Sequence, residues 1–213
     1  MQLLVLFDVD GTLFLTHDPL AGRALRETLE ERFDVQLHED AIEHVDHAGQ
    51  TSLRIARLVL GAAGPTGIDA GRLAAWCPRF GERYLELLAK ADTTDWRAAR
   101  GAADSLQQLR AAGHRLALLT GNPEPVARAR MERLGLARYF PVGEGAFGCE
   151  SESREELIAL ARSRAGDWPP EATVEIGDTR RDATSARAAG IRSIQIGPGG
   201  LADAISRLLV SSA

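Results

Sequence analysis

The sequence contains very few cysteines and almost no lysine. Cys77 and Cys149 are the only cysteines in 213 residues. Two isolated cysteines predict neither a disulfide framework nor a zinc site. Lys90 is the only lysine, and all other basic residues except the histidines are arginines. A Walker A phosphate loop is therefore excluded, because it requires Gly-Lys-Ser/Thr. A site that needs a cation must use arginine, unless Lys90 serves.

Long hydrophobic runs and an excess of positive charge are also absent. No stretch approaches the ~18 consecutive apolar residues of a membrane-spanning helix. The apolar stretch at 3–7 has no basic residue before it and stops at Asp8, so we do not expect a secretion signal. The net charge of −5 at pH 7 argues against a nucleic-acid partner, since nucleic acids bind basic surfaces. We expect a cytoplasmic protein with no membrane or nucleic-acid partner.

Short apolar stretches alternate with helical patterns over most of the chain. A length of 213 residues allows one large domain, or a core with a smaller lobe. The predicted strands are 3–7, 115–119, 173–176 and 193–196, with a weaker one at 139–142. The predicted helices between and after them are 102–112, 123–134, 153–164, 179–189 and 200–209. This alternation predicts an α/β fold with a doubly wound parallel sheet.

The region between the first two predicted strands has no strand pattern. It carries amphipathic patterns at 19–32, 39–46, 50–61 and 69–91, with a loop at 61–67. Its length of about 85 residues is far greater than the 2–6 residues of a usual strand-to-helix link. We predict an all-helical domain, residues 16–97, inserted into a core of residues 1–15 and 98–213. The hinges are expected near 13–18 and 92–101.

Two carboxylates follow the first predicted strand. Asp8 and Asp10 lie two positions apart, so both side chains can leave the strand on one side. Gly11 then allows a sharp turn and a close approach to a ligand. The carboxyl end of a parallel strand is where α/β sheets bind ligands. The pair could share a divalent cation, or divide into a nucleophile and an acid/base; the alternative is an ordinary Asp-Gly turn.

Two further strand ends carry polar groups. Thr120-Gly121-Asn122 precedes a predicted helix, so it is either an anion-binding helix start or an ordinary cap. Asp178 and Asp182 lie one helical turn apart after the strand at 173–176. Acidic residues at a helix start are also favoured by the helix dipole alone. Because these strand ends share one edge of the sheet, four carboxylates beside an anion site predict metal-assisted phosphate chemistry.

Three other features need an interpretation. Arg154 opens the predicted helix 153–164, where a cation is unfavourable, so it either meets an anion or pairs with nearby glutamates. Residues 143–148 match the dinucleotide-binding pattern, but they do not follow the first strand, so no dinucleotide site is expected. His38, His44 and His47 are expected to face solvent or to pack, rather than to bind a metal.

In this order, the motifs resemble those of the haloacid dehalogenase-like superfamily of phosphotransferases. The resemblance is carried by Asp8-x-Asp10-Gly11-Thr12, by Thr120-Gly121-Asn122 and by Gly177-Asp178-x-x-x-Asp182. Residues 49–55 resemble part of the small helical cap of the phosphoglycolate phosphatase-like branch. The resemblance covers essentially the whole chain. It implies a Rossmann-like core with the inserted segment as its cap.

The resemblance implies a Mg²⁺-dependent phosphatase for a small phosphomonoester, such as phosphoglycolate or a sugar phosphate. Asp8 would be the nucleophile that forms an aspartyl-phosphate. Asp10 would be the general acid and base, and its backbone carbonyl would bind Mg²⁺. Thr120 and the N–H groups of Gly121 and Asn122 would hold the phosphate. The Mg²⁺ ligands implied are Asp8, Asp10, Asp178 and Asp182.

The sequence departs from the family at its third motif, which is usually a lysine. Lys90 lies before the second motif, so it cannot fill that place. We assign the role to Arg154, because arginine fits phosphate geometry and keeps its charge. The alternatives are Arg162 and Arg164. The candidates for cap residues that face the substrate are Gln50, Thr51 and Arg54, against the alternative of a surface-exposed helix start.

Other activities occur on the same scaffold. A phosphomutase remains an alternative. Phosphonate cleavage would need a cap lysine that forms a Schiff base, and only Lys90 is available. Dehalogenation is disfavoured because dehalogenases of this type lack the aspartate that Asp10 provides. A non-catalytic binding protein is less favoured, because clustered carboxylates repel one another when they bind nothing.

Overall fold

A five-stranded parallel sheet forms the centre of the protein, for which a computed structural model describes residues 1–38, 40–64, 68–197 and 199–212. The strand order is β3-β2-β1-β4-β5, so β1 lies in the middle. Each neighbouring pair is parallel. The strands are β1 Leu4–Phe7, β2 Arg115–Thr120, β3 Ala146–Phe147, β4 Thr173–Gly177 and β5 Arg192–Gln195.

Eight α-helices are present in the described residues. They are α1 Pro19–Phe33, α2 Ser52–Ala63, α3 Ala70–Leu88, α4 Ala102–Ala111, α5 Glu124–Arg133, α6 Arg154–Arg164, α7 Arg180–Ala188 and α8 Leu201–Ser212. Several of these helices are capped at their N-termini by a short polar side chain that accepts a hydrogen bond from a backbone N–H of the first turn. These N-cap residues include Asp18, Thr51, Asp69, Ser153 and Thr179. Within the described residues, none of these helices is long and apolar enough to cross a membrane.

Helices cover both faces of the sheet. Leu4 and Leu6 of β1 pack in a cluster with residues of α6 and α7. Val5 and Phe7, on the opposite face, pack with residues of α4, α5 and α8. All four side chains are fully buried, which is typical of a central parallel strand. The α/β prediction of a doubly wound parallel sheet is confirmed.

The helices α1, α2 and α3 are inserted between β1 and β2 and form a second hydrophobic cluster, to which Val126 and Ala129 of α5 also belong. Trp76 of α3 is fully buried there, and its Nε1 donates a hydrogen bond to Thr28 Oγ1 of α1 at 2.8 Å. The chain segments that enter and leave this helical insert run side by side. Leu15 N donates to Arg97 O at 3.0 Å, and Ala99 N donates to Leu13 O at 3.0 Å. These two hydrogen bonds join the regions predicted as hinges, 13–18 and 92–101.

Several local predictions are wrong. Residues 139–142 are not a strand. Tyr139 ends a 3₁₀ turn and is buried together with Phe140, which follows it, and Pro141 has no N–H to donate to a sheet. The strand of this region is β3, within the glycine-rich stretch 143–148. The predicted helix 39–46 forms turns over 40–44, and Glu39 lies outside the described residues. The predicted loop at 61–67 begins later, because α2 runs to Ala63; residues 65–67 also lie outside the described residues.

The two cysteines are paired, which corrects the expectation that they stand alone. A disulfide joins Cys77 of α3 to Cys149, which follows β3. The residues are 72 positions apart in sequence, and their Cα atoms lie 5.8 Å apart. Spacing in the sequence carries no information about this pairing, because the contact exists only where the helical insert packs on the core.

Candidate active site

Three strand ends bring the polar side chains of the predicted motifs to one edge of the sheet. Because β1 lies between β2 and β4, the residues at their carboxyl ends are neighbours. A cavity of about 790 Å³ opens at this edge. Its lining includes Asp8, Asp10, Thr120, Arg154 and Asp178 from the core. Residues of α1 and of the segment 42–55 line the opposite side, so we call it the core–insert cavity.

Asp8 is a buried carboxylate at the end of the central strand. Its backbone N–H still belongs to the sheet and donates to Ile176 O at 3.0 Å. Burial raises the pKa of Asp8 well above its usual range, and the charges of Asp182 and Asp10 raise it further. The positive charge of Arg154 opposes this shift. An anionic Asp8 therefore depends on nearby positive charge.

Arg154 supplies part of that charge. It is the first residue of α6, and its Nη2 lies 3.2 Å from Asp8 Oδ1, 3.1 Å from Glu175 Oε1 and 2.7 Å from Asp182 Oδ1. Its Nη1 is buried and makes no hydrogen bond within the described part of the chain. The position of Arg154 at a helix start predicted an anionic partner. The structure shows that this partner is a group of three carboxylates.

Glu175 is a member of this group that the sequence motifs did not identify. It lies in the middle of β4 and is fully buried. Burial raises the pKa of Glu175 to about 7, although the nearby Arg154 opposes the shift. The signal in the sequence was a single charged residue inside an apolar strand, since such a residue is rarely buried without a partner.

Three aspartates have the geometry of a metal site. One carboxylate oxygen from each of Asp8, Asp178 and Asp182 lies within 4.8 Å of the others. Asp178 Oδ1 is buried and forms no hydrogen bond with any described residue. Burial raises the pKa of Asp178, and the charge of Asp182 adds to this. Oxygen ligands of this kind suit a hard divalent cation, so the residues fit the expected metal.

Gly11 allows this acidic group to form. Its φ of +76° is in the left-handed region, and a Cβ at this position would lie 2.2 Å from Asp178 Oδ2. Any other residue would displace the Asp178 carboxylate. The sequence predicted that Gly11 allows a close approach to a ligand. In the structure, Gly11 approaches the side chain of Asp178, which follows β4.

Asp10 lies at the mouth of the site, with its side chain 52% exposed. Arg130 Nη1 lies 2.8 Å from its Oδ1, and Asn122 Nδ2 donates to its Oδ2. Arg130, on α5, was not a sequence candidate. Its helix carries several arginines, and the sequence does not show which of them faces inward.

The loop after β2 brings Thr120 and Asn122 together. Thr120 Oγ1 accepts hydrogen bonds from Asn122 N at 3.2 Å and from Asn122 Nδ2 at 3.1 Å. Helix α5 begins at Glu124, one residue later than predicted, because Pro123 is extended and forms the N-cap. Gly121 O accepts from the N–H and the hydroxyl of Ser52, both at 2.8 Å. The insert is therefore hydrogen-bonded directly to this loop.

The candidates from the insert have different positions. Gln50 lines the core–insert cavity, and its carbonyl oxygen would lie 1.9 Å from a Cβ at Gly121. Thr51 is buried and caps α2, because its Oγ1 accepts a hydrogen bond from Arg54 N at 3.3 Å. Arg54 is exposed, and its Nη1 lies 3.9 Å from Glu152. Of the three, only Gln50 is among the described residues that line the cavity.

The two alternative arginines and Lys90 lie away from the site, whereas His47 lines the core–insert cavity. Arg162 donates to Trp168 O at 2.7 Å, and Arg164 pairs with Glu150 at 2.5 Å. Lys90 is exposed after α3 and is not among the described residues that line the cavity. The only described group with metal-binding geometry is the aspartate group, so the three histidines are not part of one.

Comparison with known proteins agrees with this fold. The family model for haloacid dehalogenase-like hydrolases matches residues 3–190. The chain belongs to this family. It is 30% identical over 192 residues to the phosphoglycolate phosphatase of Cereibacter sphaeroides (strain ATCC 17025 / ATH 2.4.3), a match that covers 88% of this chain and 82% of that enzyme.

Two further similarities extend the comparison. The chain is 37% identical over 93 residues to the phosphoglycolate phosphatase of Salmonella typhi, covering 43% of this chain and 36% of that enzyme. The matched part thus spans about a third of the Salmonella enzyme. A crystal structure described as a predicted phosphoglycolate phosphatase from Haemophilus somnus 129PT superposes with a TM-score of 0.63 at 17% identity. It covers 100% of this chain and 98% of that chain, and it shows a shared fold.

Proposed function

We propose that the protein is a Mg²⁺-dependent phosphatase that hydrolyses a small phosphomonoester through an aspartyl-phosphate on Asp8. The observation that carries this proposal is the meeting of Asp8 with Asp178, Asp182 and the guanidinium of Arg154 at the end of the central strand. A carboxylate nucleophile needs positive charge around it before it can approach an anionic phosphate. Membership of the family supports the same chemistry.

The proposed reaction has two steps. In the first, a carboxylate oxygen of Asp8 attacks phosphorus, the bond from phosphorus to the leaving alcohol oxygen breaks, and Asp10 gives that oxygen a proton. In the second, a water molecule attacks the phosphorus of the aspartyl-phosphate and gives a proton to Asp10. The bond from phosphorus to Asp8 breaks, which releases inorganic phosphate and restores both aspartates.

Several groups of this chain would hold the transferring phosphoryl group. Arg154 Nη1 has no other described partner and can donate to a phosphate oxygen. The other proposed donors are the Thr120 hydroxyl and the N–H groups of Gly121 and Asn122. The Asn122 N–H would exchange its present acceptor, Thr120 Oγ1, for a phosphate oxygen. Asp8, Asp178, Asp182 and the Asp10 carbonyl would hold Mg²⁺, which would offset negative charge on the phosphoryl group.

The helical insert limits the size of the leaving group. It closes one side of the core–insert cavity and is hydrogen-bonded to the loop at Gly121. Gln50, which lines the cavity beside that loop, is our candidate for a contact to the leaving group. The names of the relatives make phosphoglycolate the first substrate to test. A sugar phosphate is the second.

A panel of phosphomonoesters tests the proposal. Phosphate release would be measured with and without Mg²⁺ for phosphoglycolate, several sugar phosphates and glycerol phosphate. We expect Mg²⁺-dependent release from at least one of them. After an acid quench of the reaction with a ³²P-labelled substrate, the wild type should carry protein-bound label that hydroxylamine removes, because acyl phosphates survive acid but react with hydroxylamine. Asp8→Asn should carry no such label. No turnover across the panel would contradict a phosphatase. A ³¹P spectrum showing phosphate moved within the substrate would indicate a phosphomutase.

A further inference from the structure

A single guanidinium connects Asp10 to the helical insert. Arg130 Nη1 lies 2.8 Å from Asp10 Oδ1 and 3.0 Å from Asp10 Oδ2. Its other side faces Asp18, whose Oδ2 lies 2.9 Å from Nη2 and 3.2 Å from Nε. The Arg130 side chain is only 3% exposed. One buried arginine therefore bridges a carboxylate at the reaction site and a carboxylate at the start of α1.

The insert fixes the orientation of this guanidinium. Asp18 Oδ1 caps α1 by accepting Leu20 N at 3.0 Å, while its Oδ2 accepts a hydrogen bond from Tyr84 Oη of α3 at 2.8 Å. The Asp18 side chain is 2% exposed. The guanidinium also lies over the rings of Phe14, at 4.9 Å, and Tyr84, at 5.8 Å. Arg130 thus has little freedom to move while the insert is in this position.

Asp10 has few other constraints. Its side chain is half exposed at the cavity, and Asn122 Nδ2 is its only other hydrogen-bond donor among the described residues. A half-exposed aspartate samples several rotamers unless a partner holds it. Arginine can hold it without competing for its proton, because the guanidinium stays charged.

We propose that Arg130 is a positioning residue: it holds the Asp10 carboxylate in place for proton transfer, and Asp18 and Tyr84 of the insert hold Arg130. This inference rests on the proposed function, in which Asp10 protonates the leaving oxygen. It extends the site to residues that do not touch the phosphate. Displacing a catalytic group by about 1 Å can lower a rate by about 10²-fold, so a bridge of this kind affects turnover directly.

Three substitutions weaken the bridge while keeping Asp10. Asp18→Asn keeps an acceptor for the α1 cap but removes the charge that faces Arg130. Tyr84→Phe removes the hydroxyl that donates to Asp18 and keeps the ring over which Arg130 lies. Arg130→Lys keeps the charge but cannot reach both carboxylates in a forked geometry. The matched control is Asp69→Asn, which makes the same change at the N-cap of α3, where Asp69 Oδ1 accepts Arg72 N at 2.7 Å.

The test compares leaving groups that differ in their need for a proton. Rapid mixing would measure first-turnover release of an alcohol from an alkyl phosphate and of p-nitrophenol from p-nitrophenyl phosphate. Arg130→Lys and Asp18→Asn should slow alkyl release about 10- to 100-fold, with a much smaller effect on p-nitrophenol, which leaves without protonation. KM should change less than about threefold, because Arg130 is not among the proposed phosphate donors. Tyr84→Phe should have a smaller effect of the same kind.

The outcomes are distinguishable. Equal losses on both substrates, or a wild-type rate in Asp18→Asn, would overturn the positioning role while leaving the phosphatase proposal intact. A similar loss in Asp69→Asn would attribute the effect to general loosening of the insert and would also overturn it. A wild type that hydrolyses neither phosphate would reject the proposed function, and this inference with it. Thermal unfolding of each variant would identify rate losses that arise from a loss of folded protein.

Discussion

Arg154 Nη2 lies 3.2 Å from Asp8 Oδ1, although the two residues are 146 positions apart. The same nitrogen also contacts Glu175 and Asp182, so one positive charge faces three buried carboxylates. This excess of negative charge is unfavourable for folding when no other cation is present. The same excess favours the binding of a divalent metal. A bound divalent cation would offset this excess and would therefore stabilise the folded protein.

Replacing the nucleophile should separate activity from stability. Asp8→Asn should lower kcat by at least about 10⁴-fold, the scale seen when a nucleophile is removed. Because burial raises the pKa of Asp8, its ionised form costs folding free energy at neutral pH. Without metal, the variant should therefore unfold at a higher urea concentration than the wild type at pH 7. This gain should disappear below about pH 3.8, where Asp8 is protonated in both the folded and the unfolded protein. Full activity in this variant would contradict the nucleophile assignment.

Removing the shared cation should have the opposite effect on stability. Arg154→Ala leaves the carboxylates of Asp8, Glu175 and Asp182 without their shared guanidinium. It should lower the unfolding free energy by about 3–5 kcal/mol. Arg154→Lys is the milder variant and should lower kcat/KM about 10²-fold, the scale of losing one transition-state donor. Arg162→Ala and Arg164→Ala are the controls, since their side chains bond elsewhere. If folded Arg154→Lys had the turnover of the wild type, the assignment of Arg154 as a phosphate-binding residue would be wrong.

Metal binding can be measured without any substrate. Mg²⁺ at about 100 times its dissociation constant should raise the unfolding free energy of the wild type by about 2.7 kcal/mol. Asp178→Asn removes a proposed ligand and should largely abolish this increase. Asp203→Asn, at an exposed position on α8, should behave like the wild type. A metal-induced increase that survives in Asp178→Asn would place the cation elsewhere.

A buried histidine far from the active site should affect stability at mildly acidic pH. Burial lowers the pKa of His114 below 6.5, and its Nδ1 accepts a hydrogen bond from Leu3 N at 3.1 Å. As the pH falls below about 6.5, the unfolded chain binds a proton before the folded protein does. The contribution of His114 is thus complete above this pH and is lost below it.

The matched variants are His114→Asn, which keeps an acceptor for Leu3, and His38→Asn at an exposed position. Urea unfolding at pH 7.5 and pH 5.5 would give the change in unfolding free energy for each. His114→Asn should lose less stability on acidification than the wild type, whereas His38→Asn should lose the same amount. Equal losses in all three proteins would exclude the effect.

The disulfide should stabilise the protein by restricting its unfolded chain. For a closed loop of 72 residues, chain entropy gives about 4 kcal/mol. The double variant Cys77→Ser/Cys149→Ser should unfold at lower urea by about that amount, and a reductant should lower the wild type to the same level. The double variant is its own control, since a reductant should not affect it.

Our expectation of a cytoplasmic location stays a prediction, and in that compartment the two cysteines would be kept as thiols.

Local patterns were sufficient to predict four of the five strands and most helices. The apolar stretches that became β1, β2 and β4 are recognisable because central parallel strands are buried on both faces. In the failed strand at 139–142, Tyr139 and Phe140 are buried by packing at the end of a 3₁₀ turn, whereas Val142 is exposed. Hydrophobicity predicts burial there, but it does not distinguish a strand from a packed loop.

The sequence by itself determined the fold class, the inserted helices and the motifs at the strand ends, because strand periodicity and strand-end placement are local properties. Only the tertiary structure decided which distant groups meet. Glu175 joins Arg154, Arg130 joins Asp10 to Asp18, and Cys77 joins Cys149. Each of these contacts forms between elements far apart in the chain. Burial and charge pairing at such contacts depend on how helices pack on the sheet, which residue spacing does not encode.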